Sequence, residues 1–160
     1  MGGVIMCRAL SSPPMPATPS TLPLSEFHTR RRVEFADTDL AGICHFARYF
    51  VFLETAEHEF LEAIGANVLL NLDGHRIGWP RVAASCEYLA PARFGDWLDI
   101  HLSVEKRGRT SVTYAFAITR DGQPIARGRT TAVCCDLDAQ GGPKPIEIPS
   151  VFLMGALGTE

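Results

Sequence analysis

No apolar run in this 160-residue chain approaches the roughly 20 residues that a bilayer-spanning helix needs. No membrane partner is therefore expected. Basic charge is not in excess either: 15 Lys and Arg against 18 Asp and Glu leave a net charge of −3 and a pI near 5.9. A nucleic-acid surface calls for a strongly basic domain, so no nucleic-acid partner is expected. No Cys-x-x-Cys pair occurs among the five cysteines, Cys7, Cys44, Cys86, Cys134 and Cys135. Zinc and redox centres lose their usual signature, and no metal or other cofactor is expected. An odd, scattered set of thiols suits a reducing compartment, so the expected location is cytoplasmic. Arg8 is the only early charge, and no apolar block with a cleavage site follows it, so a signal peptide is not expected.

What is present is a soluble-domain composition, 46% hydrophobic and 21% charged. The length suits one domain with a sizeable core. Residues 1–25 form a Ser/Pro/Thr-rich leader around Ser11-Ser-Pro-Pro-Met-Pro-Ala-Thr-Pro. Such a composition cannot build a packed core, and disorder is expected there. The folded domain is expected over 26–140, with a C-terminal tail, 141–160, packed on it.

The organising stretch is Glu34-Phe-Ala-Asp37-Thr-Asp39-Leu-Ala-Gly42-Ile-Cys-His45-Phe46-Ala-Arg48-Tyr49. A strand-like run from Phe27 to Phe35 stops at two aspartates one residue apart. A loop containing Gly42 follows, and then a helical pattern runs from about Ala47 to Ile64. Tyr49, Phe50, Leu53, Ala56, Phe60, Leu61 and Ile64 recur at three- and four-residue steps, and Gly65 supplies a stop. This order sets a carboxylate beside the positive end of a helix. Free N–H groups and the macrodipole there can hold negative charge growing on an oxygen. A carboxylate with an oxyanion site is a minimal hydrolytic apparatus. Helix capping by Asp37-Thr-Asp39 and a turn permitted by Gly42 explain the same residues without chemistry.

The Asp-x-Asp-x-x-Gly-(six residues)-Tyr pattern between strand and helix resembles the signature of the 4-hydroxybenzoyl-CoA thioesterase-like branch of the hotdog-fold acyl-CoA thioesterases. The similarity runs in order from about Phe27 to Asp136. The resemblance implies that Asp39 is the catalytic carboxylate and that the backbone N–H near Phe46 polarises the thioester carbonyl. Asp37 would brace the loop, and Ile43, Tyr49 and Phe50 would help wall the acyl group. Several relatives carry a histidine where this chain has Phe46, which leaves His45 either a participant or a loop residue.

Two acids on the helix need a separate reading. Glu54 matches an acidic position of the family, whereas Glu57 does not and falls among the apolar positions. A carboxylate on a core stripe is costly unless paired or useful. Glu57 therefore pairs with Arg48, Arg81 or Arg93, or reaches the site as a second acid. Cys44, in the site loop, reads as a small buried hydrophobe rather than a nucleophile.

Beyond a turn-rich connection over 66–79, the period switches to strands: Arg81 to Tyr88, Asp96 to Glu105, Ser111 to Thr119 and Gln123 to Asp136. Asp121-Gly122 is a strong hairpin signal. Pattern and resemblance together give an α+β hotdog fold, an antiparallel five-stranded sheet wrapped around one long central helix. Lys106, Arg107 and Arg109 make a basic hairpin, and the resemblance implies that such residues hold CoA phosphates. It also implies a homodimer or homotetramer acting on an acyl-CoA or acyl-carrier-protein thioester. The expected function is acyl-CoA hydrolysis to a free acid and CoA. Its rivals are a hotdog hydratase or dehydratase, using His45 with Glu54 or Glu57, and a non-catalytic acyl-thioester binder.

Overall fold

A computed structural model describes residues 25–150 and 152. The expected leader lies outside the described residues but for Ser25, and so does most of the tail beyond 150. The main sheet is antiparallel and has the order β1-β5-β6-β7-β4. Its strands are β1 (Glu26–Arg32), β4 (Arg81–Tyr88), β5 (Trp97–Arg107), β6 (Ser111–Arg120) and β7 (Gln123–Val133). One helix, α1 (Arg48–Ala63), lies against one face of it. This is the hotdog arrangement expected from the sequence.

Alternation along the strands decides which face meets the helix. In β5, Leu98, Ile100 and Leu102 are buried, while Trp97, Asp99, His101 and Ser103 turn outward. In β6, Val112, Tyr114, Phe116 and Ile118 point inward. A helix stripe of Tyr49, Phe52, Leu53, Ala56, Phe60 and Leu61 meets them, as a 3.6-residue period requires. Phe52, three residues after Tyr49, is buried, whereas Phe50 is only half-buried at the border of the core. The sequence pattern had taken Phe50 for the stripe and passed over Phe52. Aromatic edges lock the layer together: Phe60 meets both Phe27 and Tyr114, with ring centroids 6.3 and 6.0 Å apart.

Three differences from the sequence reading have local causes. The first strand ends at Arg32 rather than Phe35, because Asp37 accepts the Glu34 N–H at 2.8 Å and folds Phe35–Asp37 into a 3-10 turn. The 66–79 connection contains a hairpin, β2 (Leu70–Leu72) and β3 (His75–Gly78). Its turn is Asp73-Gly74 with φ of 51° and 82°, matching Asp121-Gly122 at 50° and 79°. The last expected strand breaks after Val133, and β8 (Cys135–Asp136) pairs with β3 and with β9 (Lys144–Pro145) to form a second, small sheet. The helix end follows its signal closely. Gly65 at φ 74° lets its own N–H reach Glu62 O and the Ala66 N–H reach Leu61 O, a Schellman closure.

The helix sits unusually close to β7. A Cβ built on Gly128 would lie 2.4 Å from Leu53 Cδ1, and Leu53 is fully buried. Replacing Gly128 by Ala adds strand propensity of about 0.5–1 kcal/mol, but overpacking a locked core costs about 1–3 kcal/mol. The clash is the larger effect. Gly128→Ala is expected to lower the urea midpoint by a net of about 1–2 kcal/mol in stability, and an unchanged midpoint would contradict the contact.

Candidate active site

The two aspartates, two residues apart, have opposite environments. Asp37 is buried, at 4% exposure, and its carboxylate accepts the Glu34 N–H and the Arg48 Nε–H, the latter at 2.6 Å. Its carbonyl takes the His45 N–H at 2.8 Å. Asp37 thus ties the end of β1 to the first residue of α1. Asp39 is exposed at the tip of the loop. Its Oδ1 accepts the Ala41 N–H at 2.8 Å, while Oδ2 accepts no hydrogen bond among the described residues.

The loop is held in shape by its own backbone. Asp39 N–H donates to Ile43 O at 3.0 Å, and Gly42 N–H to Asp39 O at 2.9 Å. Gly42 carries φ 70°, which a side chain would oppose. An isolated bridge pairs Thr38 with Cys44, and the Cys44 N–H donates to Ala92 O at 2.8 Å. The loop therefore leans on the β4–β5 connection.

At the start of the helix, the Arg48 N–H donates to His45 O at 2.9 Å and the Ala47 N–H reaches His45 Nδ1 at 3.3 Å. His45 thus holds the turn that leads into α1, whose N-cap is Ala47, and no hydrogen bond or salt bridge joins it to Glu54 or Glu57 among the described residues. The Phe46 N–H donates to no group among the described residues. Phe46 O meanwhile accepts the Tyr88 hydroxyl at 3.0 Å, which fixes the orientation of that peptide from the β4 side.

Asp39, Ile43, Cys44, Phe46 and Tyr49 line one cleft with Tyr88, Leu89, Ala90 and Pro91, about 420 Å³ in volume. The sequence reading had named Asp39, Ile43, Phe46 and Tyr49 among these. It missed Tyr88 and Leu89, whose part depends on where the end of β4 meets the loop. A second open hollow of about 570 Å³ lies on the other side of Asp39, against Phe35, Leu40 and Phe94.

The other candidates lie elsewhere. Phe50 is not among the cleft residues, and Glu54 is exposed. Glu57 is buried and receives a hydrogen bond from Arg81 Nη1 at 2.6 Å, which selects Arg81 from the three arginines considered. Burial pushes the Glu57 carboxyl above its ordinary value, and Arg81 opposes that rise. Arg107 lies by Phe60, Leu61 and Ile64, at the C-terminal end of α1, and Arg109 O accepts the Ile148 N–H. A 16-residue helix spans about 24 Å at 1.5 Å per residue. One chain therefore does not bring the basic hairpin to the Asp39 cleft.

Cys44 lines the cleft, but burial and the carboxylate of Asp37 push its thiol up to about 11. At neutral pH it is a thiol rather than the nucleophilic thiolate. Burial likewise keeps the Tyr49 hydroxyl protonated. Cys44 is expected to alkylate slowly with iodoacetamide at neutral pH, and Cys44→Ala to keep most of the wild-type turnover. Rapid alkylation, or loss of turnover in Cys44→Ala, would restore it as a nucleophile.

Arg81→Met leaves the Glu57 charge buried and alone, a change that costs about 3–5 kcal/mol at neutral pH. Without Arg81 the Glu57 carboxyl rises further, so the folded state binds more protons than the unfolded one. Stability of the variant then increases as pH falls. The gap to wild type in urea unfolding is expected to narrow from neutral pH toward the ordinary glutamate value of 4.5; a gap independent of pH would contradict this.

The family model of the thioesterase-like superfamily matches residues 33–155. A 1,4-dihydroxy-2-naphthoyl-CoA hydrolase from Nostoc punctiforme is 32% identical over 114 residues, covering 71% of this chain and 77% of its own. A crystal structure of a 1,4-dihydroxy-2-naphthoyl-CoA thioesterase from Synechocystis superposes with a TM-score of 0.72 at 25% identity, over 82% of this chain and 95% of that one. A gentisyl-coenzyme A thioesterase superposes with a TM-score of 0.67 at 30% identity, over 79% and 97%. The chain belongs to the thioesterase-like superfamily and is a thioester hydrolase of hotdog fold.

Proposed function

We propose that the protein hydrolyses acyl-CoA thioesters of aromatic acids, with Asp39 as the catalytic carboxylate and the Phe46 N–H as the oxyanion donor. One observation carries the reading: Asp39, with an exposed side chain, and Phe46, whose N–H has no partner among the described residues, line the same cleft. The thioester oxygen would accept the Phe46 N–H at the positive end of α1. That interaction strengthens as charge grows on the oxygen in the transition state, which is the condition for catalysis. Asp39 would either attack the carbonyl carbon and expel CoA thiolate, leaving a mixed anhydride that water then cleaves to the acid, or take a proton from a water whose attack on the carbonyl expels CoA thiolate. Phe46, Tyr49 and Tyr88 give the cleft three aromatic walls, suited to edge-to-face or offset contact with an aryl group. Relatives named for dihydroxynaphthoyl-CoA and gentisyl-CoA favour the same substrate class.

A homo-oligomer completes the reading. Phe46 and Leu89 in the cleft, Phe35 and Phe94 in the hollow beyond Asp39, and Val82 on the edge strand β4 are all exposed apolar residues. Such a patch on a sheet edge is the expected surface for a second copy. The separation of Arg107 and Arg109 from the cleft has the same implication, since they would meet CoA phosphates only from a neighbouring chain.

The test is chromogenic thiol release from benzoyl-, hydroxybenzoyl-, hexanoyl- and palmitoyl-CoA. Wild type is expected to turn over the aryl thioesters best. Asp39→Asn is expected to lose about a hundredfold or more in kcat while its circular dichroism is unchanged. Equal release by wild type and variant would mean that another group carries the chemistry. Preference for palmitoyl-CoA would overturn the aryl assignment.

A further inference from the structure

A group of side chains far from the cleft chemistry stands on the opposite face of the sheet. Glu26 and His28 alternate outward from edge strand β1, with the intervening Phe27 packed inward against Phe60. His101 projects outward from β5, between inward Ile100 and Leu102. In the antiparallel register His28 is directly opposite His101, and Glu26 is the diagonal neighbour across from Ser103. The two imidazoles stack with centroids 4.3 Å apart and planes 6° from parallel, so the in-plane lone pairs converge on one ion only when the exposed His28 ring turns out of the stack. One ligand atom from each of the three residues lies within 4.8 Å of the others.

We propose that Glu26, His28 and His101 form a binding site for a divalent transition-metal ion of the Zn2+ class. Two imidazole nitrogens and a carboxylate oxygen make a donor set that suits zinc, cobalt, nickel and copper rather than the all-oxygen preference of calcium or magnesium. Tetrahedral geometry with bonds of about 2.0–2.1 Å puts ligand atoms about 3.4 Å apart. His101 Nε2 and Glu26 Oε2 are 3.5 Å apart, near that edge length. His101 Nε2 is buried and makes no hydrogen bond among the described residues, so it is a polar atom in need of a partner. A cation between it and Glu26 would satisfy both.

The neighbours leave the position open. Across from His101 on β6 is Ala117, too small to intrude. The nearest outward arginine, Arg30, is engaged with Asp99 at 2.8 Å and lies over the Trp97 ring. Its charge is therefore directed away from the histidines. Water would fill the remaining coordination position. Bound metal would staple β1, an edge strand paired on one side only, to β5.

The experiment is calorimetric titration of chelator-stripped, full-length protein with Zn2+, and with Mg2+ as the comparison ion. Wild type is expected to bind one Zn2+ per chain in the micromolar range and to ignore Mg2+. His28→Gln and His101→Gln are each expected to weaken Zn2+ binding about tenfold or more, while His75→Gln, at the separate His75–Asp136 contact, binds as wild type does. Zn2+ should raise the thermal midpoint of wild type and not of the double histidine variant. Both variants are on the surface of an outward face, and unchanged thiol release and circular dichroism without metal would confirm their folding. Absence of Zn2+ binding at about 100 µM free ion, far above the usual range of imidazole sites, would overturn the site. So would undiminished binding by the double variant, or equal binding of Mg2+.

Discussion

The close seat of α1 against β7 is the constraint on which the rest depends. Leu53 occupies the space where any residue but glycine at position 128 would put a side chain. That approach lets one helix fill the concave face of five strands, with Leu53, Leu98, Ile100, Leu102, Ile118 and Ile125 in the centre, all nearly inaccessible. Interiors packed to this density transmit position well. The helix N-terminus is consequently delivered to a fixed place, with Phe46, two residues before Arg48, among the residues that line the cleft.

Local electrostatics then divide two similar residues. Only one threonine stands between Asp37 and Asp39, yet Asp37 commits its carboxylate to the Glu34 N–H and Arg48 while Asp39 retains an oxygen without a partner among the described residues. The buried one is structural because its oxygens are already satisfied, and a satisfied buried carboxylate has little left for substrate. Glu57 repeats the division on the helix. Its place among apolar positions is tolerated through Arg81 of the edge strand, so an ion pair couples the middle of α1 to β4. Removing both charges from water costs much of what their attraction returns, so the pair adds little net stability even though breaking it is costly.

Much of the fold was legible in the sequence. Strict alternation in Trp97–Val104, the three- and four-residue steps of α1, the Asp121-Gly122 turn and Gly65 each reflect short-range geometry, and each element appears near its expected limits. The β2–β3 hairpin was less visible, although Asp73-Gly74 carries the same turn signal, because strands of three and four residues show too little alternation to register. Of the cleft, Asp39, Ile43, Phe46 and Tyr49 could be named in advance, whereas Phe50, named with them, is not among its residues. Tyr88, which closes the cleft and holds Phe46 O, could not, since 42 positions separate them.

The sequence by itself determined the long helix, the strands of the main sheet, the Asp121-Gly122 turn and the acidic Gly-containing loop before the helix, because these are set by backbone preference and by periods of two and 3.6 residues. Tertiary structure alone decided which arginine meets Glu57, which of two aspartates stays free, and that the basic hairpin is a helix length from the cleft. It also decided that His28 and His101 face one another across two strands about 70 residues apart in sequence. Such pairings follow from sheet order and register, which long-range packing selects and no local pattern encodes.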